Sequence, residues 1–295
     1  RVSARILGGE SMQGRHEKTI YENDRGQKVE IAYSFPYFFQ SITGVDGIDA
    51  EITKIKSVGQ DGVTITNVSL PYRPIRISGS LKGSTKEEIA RLRAELFKIF
   101  NPKIKGTLQY EYGETKKQIR CQVETGPVFK KKGKSYQYQD FIIDLICPVP
   151  FWFDEFETGK EIVTWIGGIS FPLVLPTSFA MKGPKKINII NNGDVETPVR
   201  IEFKGPATKP RITNITTGEY IQVNRTLLAE DILVITTDFG NKRVEINGQN
   251  VFNWIDVSSV FWQLEVGDNV VEYSSDDEVE PASVKISYRN RYIGV

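Results

Sequence analysis

Histidine occurs once in the 295 residues, and cysteine and methionine twice each. A single histidine, His16, excludes a two-histidine metal site or an HExxH helix, and two isolated cysteines, Cys121 and Cys147, cannot build a structural zinc centre. No apolar run reaches the ~18 residues a membrane helix needs. Nucleophilic catalysis lacks its parts: there is no GxSxG elbow, no Ser-His-Asp set, and neither cysteine sits beside a basic residue at a helix start. Gly8-Gly9 is followed by no Gly-Lys-Ser/Thr, so a phosphate loop is missing too. The sequence therefore predicts a non-enzyme with no metal and no cofactor.

What is present is β signal. Val29 to Tyr33, Val63 to Leu70, Ile75 to Gly79, Thr107 to Tyr112, Ile119 to Val123 and Asp140 to Cys147 are short, rich in β-branched and aromatic residues, and bounded by Gly, Pro, Asn or Asp. Ile119, Cys121 and Val123 alternate with Arg120, Gln122 and Glu124, the pattern of a strand with one wet face. Both cysteines fall in such runs, which suits buried thiols of a reducing compartment better than a disulfide scaffold; a bridge between them is allowed but not needed. One helix interrupts the strands. Ser84 with Glu87, or Thr85 with Glu88, offers a capping box, and Ile89, Leu92, Leu96, Ile99 and Phe100 follow at helical spacing until Asn101-Pro102 ends the run.

Chain length and a proline-rich middle predict two domains. Residues 1–155 form the first, 156–184 a connector marked by Phe171-Pro172, Leu175-Pro176 and Gly183-Pro184, and 185–295 the second. The second shows nine short strand signals at even spacing, among them Ile187 to Ile190, Val199 to Phe203, Phe261 to Leu264 and Val284 to Tyr288, with Asn192-Gly193 and Asn247-Gly248 as tight turns. That pattern predicts an all-β sandwich. Residues 1–150 carry 24 Lys and Arg against 17 Asp and Glu, and residues 151–295 carry 14 against 20, so the halves are electrically opposite. Such polarity fits surfaces that meet different neighbours, or each other, better than a nucleic-acid reader.

Between the domains lies Cys147-Pro-Val-Pro-Phe-Trp-Phe153. Pro148 and Pro150 remove two donors, so the segment cannot simply continue its own sheet. Three aromatic side chains bury about 150 to 250 Å² each, together worth roughly 11 to 19 kcal/mol as an upper bound, and must pack. Phe151, Trp152 and Phe153 are therefore expected at a domain or subunit junction.

Other clusters have plainer readings. Asp276, Asp277, Glu278 and Glu280, and likewise Asp46, Asp49 and Glu51, lack the glycine alternation of a calcium loop and read as solvated loops. Lys130, Lys131, Lys132 and Lys134 with Tyr136 and Tyr138 read as a hairpin tip. Asn67, Asn214 and Asn224 head glycosylation triplets, with nothing else that indicates secretion. Trp254 and Trp262 are the candidates for stacking on a sugar, with core packing the alternative for one of them.

Arg76-Ile-Ser-Gly79, the helix running from Glu88 to Phe100 into Asn101-Pro-Lys-Ile-Lys-Gly-Thr-Leu-Gln-Tyr110, the run Phe141-Ile-Ile-Asp-Leu145 and Cys147-Pro-Val-Pro-Phe-Trp152 resemble the N-terminal half of the distal tail proteins of long-tailed phages of Gram-positive bacteria. Asn191-Asn-Gly-Asp194, Pro198-Val-Arg-Ile-Glu-Phe203, Asn269-Val-Val-Glu-Tyr273 and Tyr288-Arg-Asn-Arg-Tyr-Ile-Gly294 are similar to that family's galectin-like domain. The resemblance implies a mainly β protein: an N-terminal β-sandwich or split barrel with one α-helix, and a C-terminal galectin-like sandwich. It also implies a homohexameric ring, formed by the first domain, at the distal end of the virion tail, made in the bacterial cytoplasm. That ring is expected to join the tail tube protein to the tail-associated lysin or fibre protein. Its lumen would pass DNA without reading it, and its outer domains would hold receptor-binding proteins. No catalytic residue is carried over, and no insertion is long enough for an added carbohydrate-binding module. The alternatives are a carbohydrate-binding adhesin acting through Trp254 or Trp262, and the hub of a contractile tail or tailocin.

Overall fold

The computed structural model describes residues 17–130, 137–163, 165–167, 180–182, 185–276 and 283–295. His16, Lys131, Lys132, Lys134, Tyr136, Asp277, Glu278, Glu280 and the three proline pairs from Phe171 to Pro184 lie outside them. The chain divides into two units, residues 1–155 with 293–295, and residues 156–292.

The first unit is built on one antiparallel sheet. Its strands are β1 (Glu17–Asn23), β2 (Lys28–Ile31), β3 (Tyr37–Thr43), a separate hairpin of β4 (Glu51–Ile55) and β5 (Thr64–Ser69), β6 (Arg73–Lys82), β7 (Lys105–Tyr112), β8 (Thr115–Lys130) and β9 (Tyr138–Cys147). The sheet order is β2-β1-β7-β8-β9-β6-β3. Among the described residues a single bridge, Ala32 to Phe38, brings its two edges together, and no ladder closes the barrel. A short β10 (Trp152–Asp154) adds to β8 through Phe153 opposite Gln118.

Alternation decides which face is dry. Ile75, Ile77 and Leu81 of β6, Phe141, Ile143 and Leu145 of β9, and Ile119, Cys121 and Val123 of β8 are all buried. Helix α1 (Lys86–Ile99) starts at Thr85, whose hydroxyl accepts from the Glu88 N–H at 3.1 Å, while the Glu88 carboxylate accepts from the Ser84 N–H at 2.8 Å. The second of the two capping boxes is thus used. Leu92, Leu96 and Ile99 bury its apolar stripe, and Phe100 stacks on Tyr21 with ring centroids 4.4 Å apart. The Tyr37 hydroxyl lies 2.9 Å from Glu95 Oε2; burial, with the Glu95 carboxylate second, raises this phenol above its usual range.

The second unit is a two-sheet sandwich. One sheet runs in the order Thr158–Val163, Ser283–Tyr288, Val199–Lys204, Ile232–Thr236, Arg243–Ile246, Gln249–Asn250; the other in the order Lys186–Asn191, Gly267–Ser274, Arg211–Asn214, Glu219–Gln222. Ile201, Phe203, Leu233, Ile286, Ile212, Val271 and Trp262 share its core. Asn247 (φ 51°) and Gly248 (φ 78°) make the left-handed hairpin turn that their sequence predicts.

Three sequence expectations need correction. Asn192-Gly193 is not a left-handed turn: a Cβ on Gly193 would meet the Arg291 carbonyl at 2.4 Å, so the glycine serves close backbone approach. Phe261 to Leu264 is no strand: among the described residues its one β-bridge is the isolated pair Leu264 with Thr197. The segment read as an irregular connector begins with a strand, Thr158–Val163 against Ser283–Tyr288, since Ile162 is buried before the prolines begin. In addition, Ile293–Val295 falls with the first unit rather than the second.

Candidate functional site

Within the first unit, one guanidinium gathers the chain. Arg73 opens β6 and is 1% exposed. Its Nε donates to the Pro150 carbonyl at 2.7 Å, and its Nη1 to the Gly44 and Asp46 carbonyls at 2.8 and 2.7 Å. Its Nη2 donates to the Ile293 carbonyl. These acceptors are neutral carbonyls. Burial accordingly pulls the Arg73 pKa below the ordinary arginine value, while an arginine stays charged even so. The Val295 N–H bonding to the Val45 carbonyl fixes the last residues beside the same loop.

This node explains the proline-aromatic segment. Pro150 cannot donate to a ladder, and its carbonyl is taken by Arg73 instead. The next residues turn inward: Trp152 is 0% exposed, its ring 6.2 Å from that of Tyr110, while Phe151 and Phe153 are half-buried. Pro148 is exposed. Asp154 closes the segment on Lys117, Oδ1 to Nζ 2.6 Å. The sequence pointed to the aromatics and missed Arg73, whose arginine-proline start to a strand carries no local sign of burial.

The β4–β5 hairpin is the opposite case. Every residue of both strands is exposed. The register sets Ile52 opposite Val68 and Lys54 opposite Ile65, with a bulge between, so one face of the ribbon carries Ile52, Val68 and Ile65. Ile55 stands on the other face, and Val58 at the tip is fully exposed. A two-stranded ribbon is marginally stable alone in water and presents unpaired backbone groups on both edges. At its root lies a depression of about 380 Å³ lined by Gly44, Ile48, Asp49, Tyr72, Arg73 and Pro74.

In the second unit the two tryptophans part. Trp262 is 2% exposed and leaves no face for a sugar, which corrects its candidacy. Trp254 is 44% exposed, with the Arg225 guanidinium 5.5 Å from its ring. Phe252, Val257 and Val260 lie near it in sequence and are exposed as well. Asp256 in this loop accepts from the Ser258 N–H and the Tyr220 hydroxyl, and both bonds hold its carboxyl below the usual range. Asn191, Asn214 and Asn269 are buried and spend their amides on the carbonyls of Val195, Leu264, Gln263, Glu265 and Gly267. Burial also removes Asn214 as a glycan acceptor. Among the described residues no group of three His, Cys, Asp or Glu is placed to hold a metal.

Two family models match the sequence. Residues 24–147 match the phage tail protein RIFT-related domain, and residues 192–292 match the siphovirus-type tail component, C-terminal domain. The fold is similar to that of the distal tail protein Dit of phage SPP1, described as a paradigm of hub adsorption apparatus in phages infecting Gram-positive bacteria: TM-score 0.68 and 15% identity, covering 92% of this chain and 98% of that one. It is also similar to a chain of the phage P2 baseplate in its activated conformation with Ca, with TM-score 0.54, 14% identity and coverage of 95% and 99%. No curated relative matches.

Proposed function

The chain belongs to the distal tail protein family of siphovirus tails, and from that premise we propose that it closes into a homohexameric ring joining the tail tube to the tail-tip lysin or fibre. The β4–β5 hairpin carries this reading. Ile52, Ile55, Val58, Ile65 and Val68 are all exposed, and burying one such side chain contributes about 1.5 to 3 kcal/mol. A ring needs a heterologous contact, one patch fitting a different patch on the next copy. The hairpin of one subunit, laid against its neighbour, supplies such a contact and completes a ribbon that has no core of its own. The half-buried Phe151 and Phe153 beside the anchored Trp152 are a second junction in this scheme.

Through the second unit the ring meets receptor-binding or other baseplate proteins, and Phe252, Trp254, Val257 and Val260 are the side chains we assign to that contact. A glycan-binding adhesin is the weaker reading, because Trp262 is buried and Arg225 already lies over Trp254. Light scattering of the purified protein tests the ring: six copies of 33.4 kDa give about 200 kDa. The double substitution Ile52→Asp, Val68→Asp is expected to leave a folded monomer. A wild-type protein that remains a strict monomer at high concentration overturns the ring; a double variant that still forms hexamers overturns the hairpin's part in it.

A further inference from the structure

Four strands of the first unit lie side by side in the order β7, β8, β9, β6, and their registers place one row of residues straight across them. Gly106 is opposite Cys121, and Arg73 is opposite Cys147. Between these pairs, the β8–β9 ladder matches Gln122 with Ile146, so one step further along sets Cys121 opposite Cys147. The row reads glycine, thiol, thiol, guanidinium. Both cysteines are free, and they are 3% and 0% exposed. The neighbouring Cys147 thiol, together with burial, pushes the Cys121 thiol up.

Residues directly opposed in an antiparallel pair have Cα atoms about 4.5 to 5.5 Å apart. A disulfide spans roughly 4.4 to 6.8 Å between Cα atoms, a range that includes this spacing. We propose that Cys121 and Cys147 form a cross-strand disulfide once the protein passes from a reducing to an oxidising medium. The change of medium rests on the tail reading, since a virion part is built inside a cell and acts outside it; the thiol pairing itself does not. With a small disulfide such as oxidised glutathione as oxidant, one cysteine thiolate attacks it and releases one glutathione thiol. The second cysteine then displaces the other glutathione, forming the protein S–S bond. Two S–H protons are carried off by the departing thiols, and the electron pair reduces the small disulfide.

Access is through the strand. β8 breaks register between Val123 and Thr125 and again between Thr125 and Val128, so the ladder is interrupted within a few residues of Cys121. The bond would cross-link β8 to β9 at the point where β9 gives way to Pro148, beside the arginine that holds Pro150. Its effect is to stiffen the start of the proline-aromatic segment after assembly.

The test uses the full-length protein purified with reductant, then incubated with oxidised glutathione at a temperature just below melting. Intact mass is expected to fall by about 2 Da, with both thiols lost to titration under denaturing conditions. A peptide map should join the fragments that carry residues 121 and 147. Melting temperature should rise by about 5 °C, reversibly with reductant, in the wild type and not in Cys121→Ala. Stable glutathione adducts, disulfide-linked dimers, or two surviving thiols overturn the proposal. Light scattering of the same samples separates this from the ring: a disulfide in a protein that stays monomeric keeps the thiol pairing and sinks the ring, and a ring with both thiols intact does the reverse.

Discussion

The Arg73 node and the β4–β5 hairpin belong to the same unit and are made of similar local material, short β-branched segments punctuated by proline and glycine. They end in opposite states. Around Arg73 the carbonyls of Gly44, Asp46, Pro150 and Ile293 all find a donor, and Trp152 is sealed from water. Along the hairpin neither face is covered, and isoleucine and valine stand in solvent. The difference is where each region finds its partners. The node draws four carbonyls onto one guanidinium and buries its large aromatic inside the chain, whereas the hairpin leaves its apolar side chains in water.

Substitutions should separate the two regions by size of effect. Trp152→Ala empties one of the two largest fully buried side-chain sites among the described residues and is expected to cost about 3 to 5 kcal/mol in urea unfolding. A loss under about 1 kcal/mol would mean that the segment is not anchored by its indole. Arg73→Met comes next, because it leaves buried carbonyls without donors; about 2 to 4 kcal/mol should be lost, and the backbone amides of Ile293–Val295 should exchange hydrogen faster. Unchanged stability together with unchanged exchange would remove the node from the account. The smallest effect belongs to the hairpin. Ile52→Asp should alter monomer stability by less than about 0.5 kcal/mol while weakening self-association in sedimentation runs. Were it to unfold the monomer, the hairpin would be core and the contrast would fail.

Much of the fold was legible. Thr85 with Glu88 marked the helix start, Asn101-Pro102 its end, and the alternation around Ile119, Cys121 and Val123 the dry face of β8. The strands β1, β3 and β4 were not read: Glu17–Asn23 and Glu51–Ile55 are short and carry charges at both faces, and Tyr37–Thr43 bunches its aromatics at one end instead of alternating them with polar residues. Of the site residues, Trp152 was visible as an aromatic too large to leave wet. Arg73 was not, since a charged residue reads as surface until four carbonyls from distant segments are seen to converge on it. Trp254 and Trp262 looked alike in sequence and were separated only by packing.

By itself the sequence determined the class of local structure, because period, capping and composition act over a few residues. The tertiary structure decided which residues meet: Cys121 with Cys147, Arg73 with Pro150 and Ile293, and which apolar faces go without a partner. Those outcomes depend on strand order and register, which are set by the summed burial of the whole sheet rather than by any one segment.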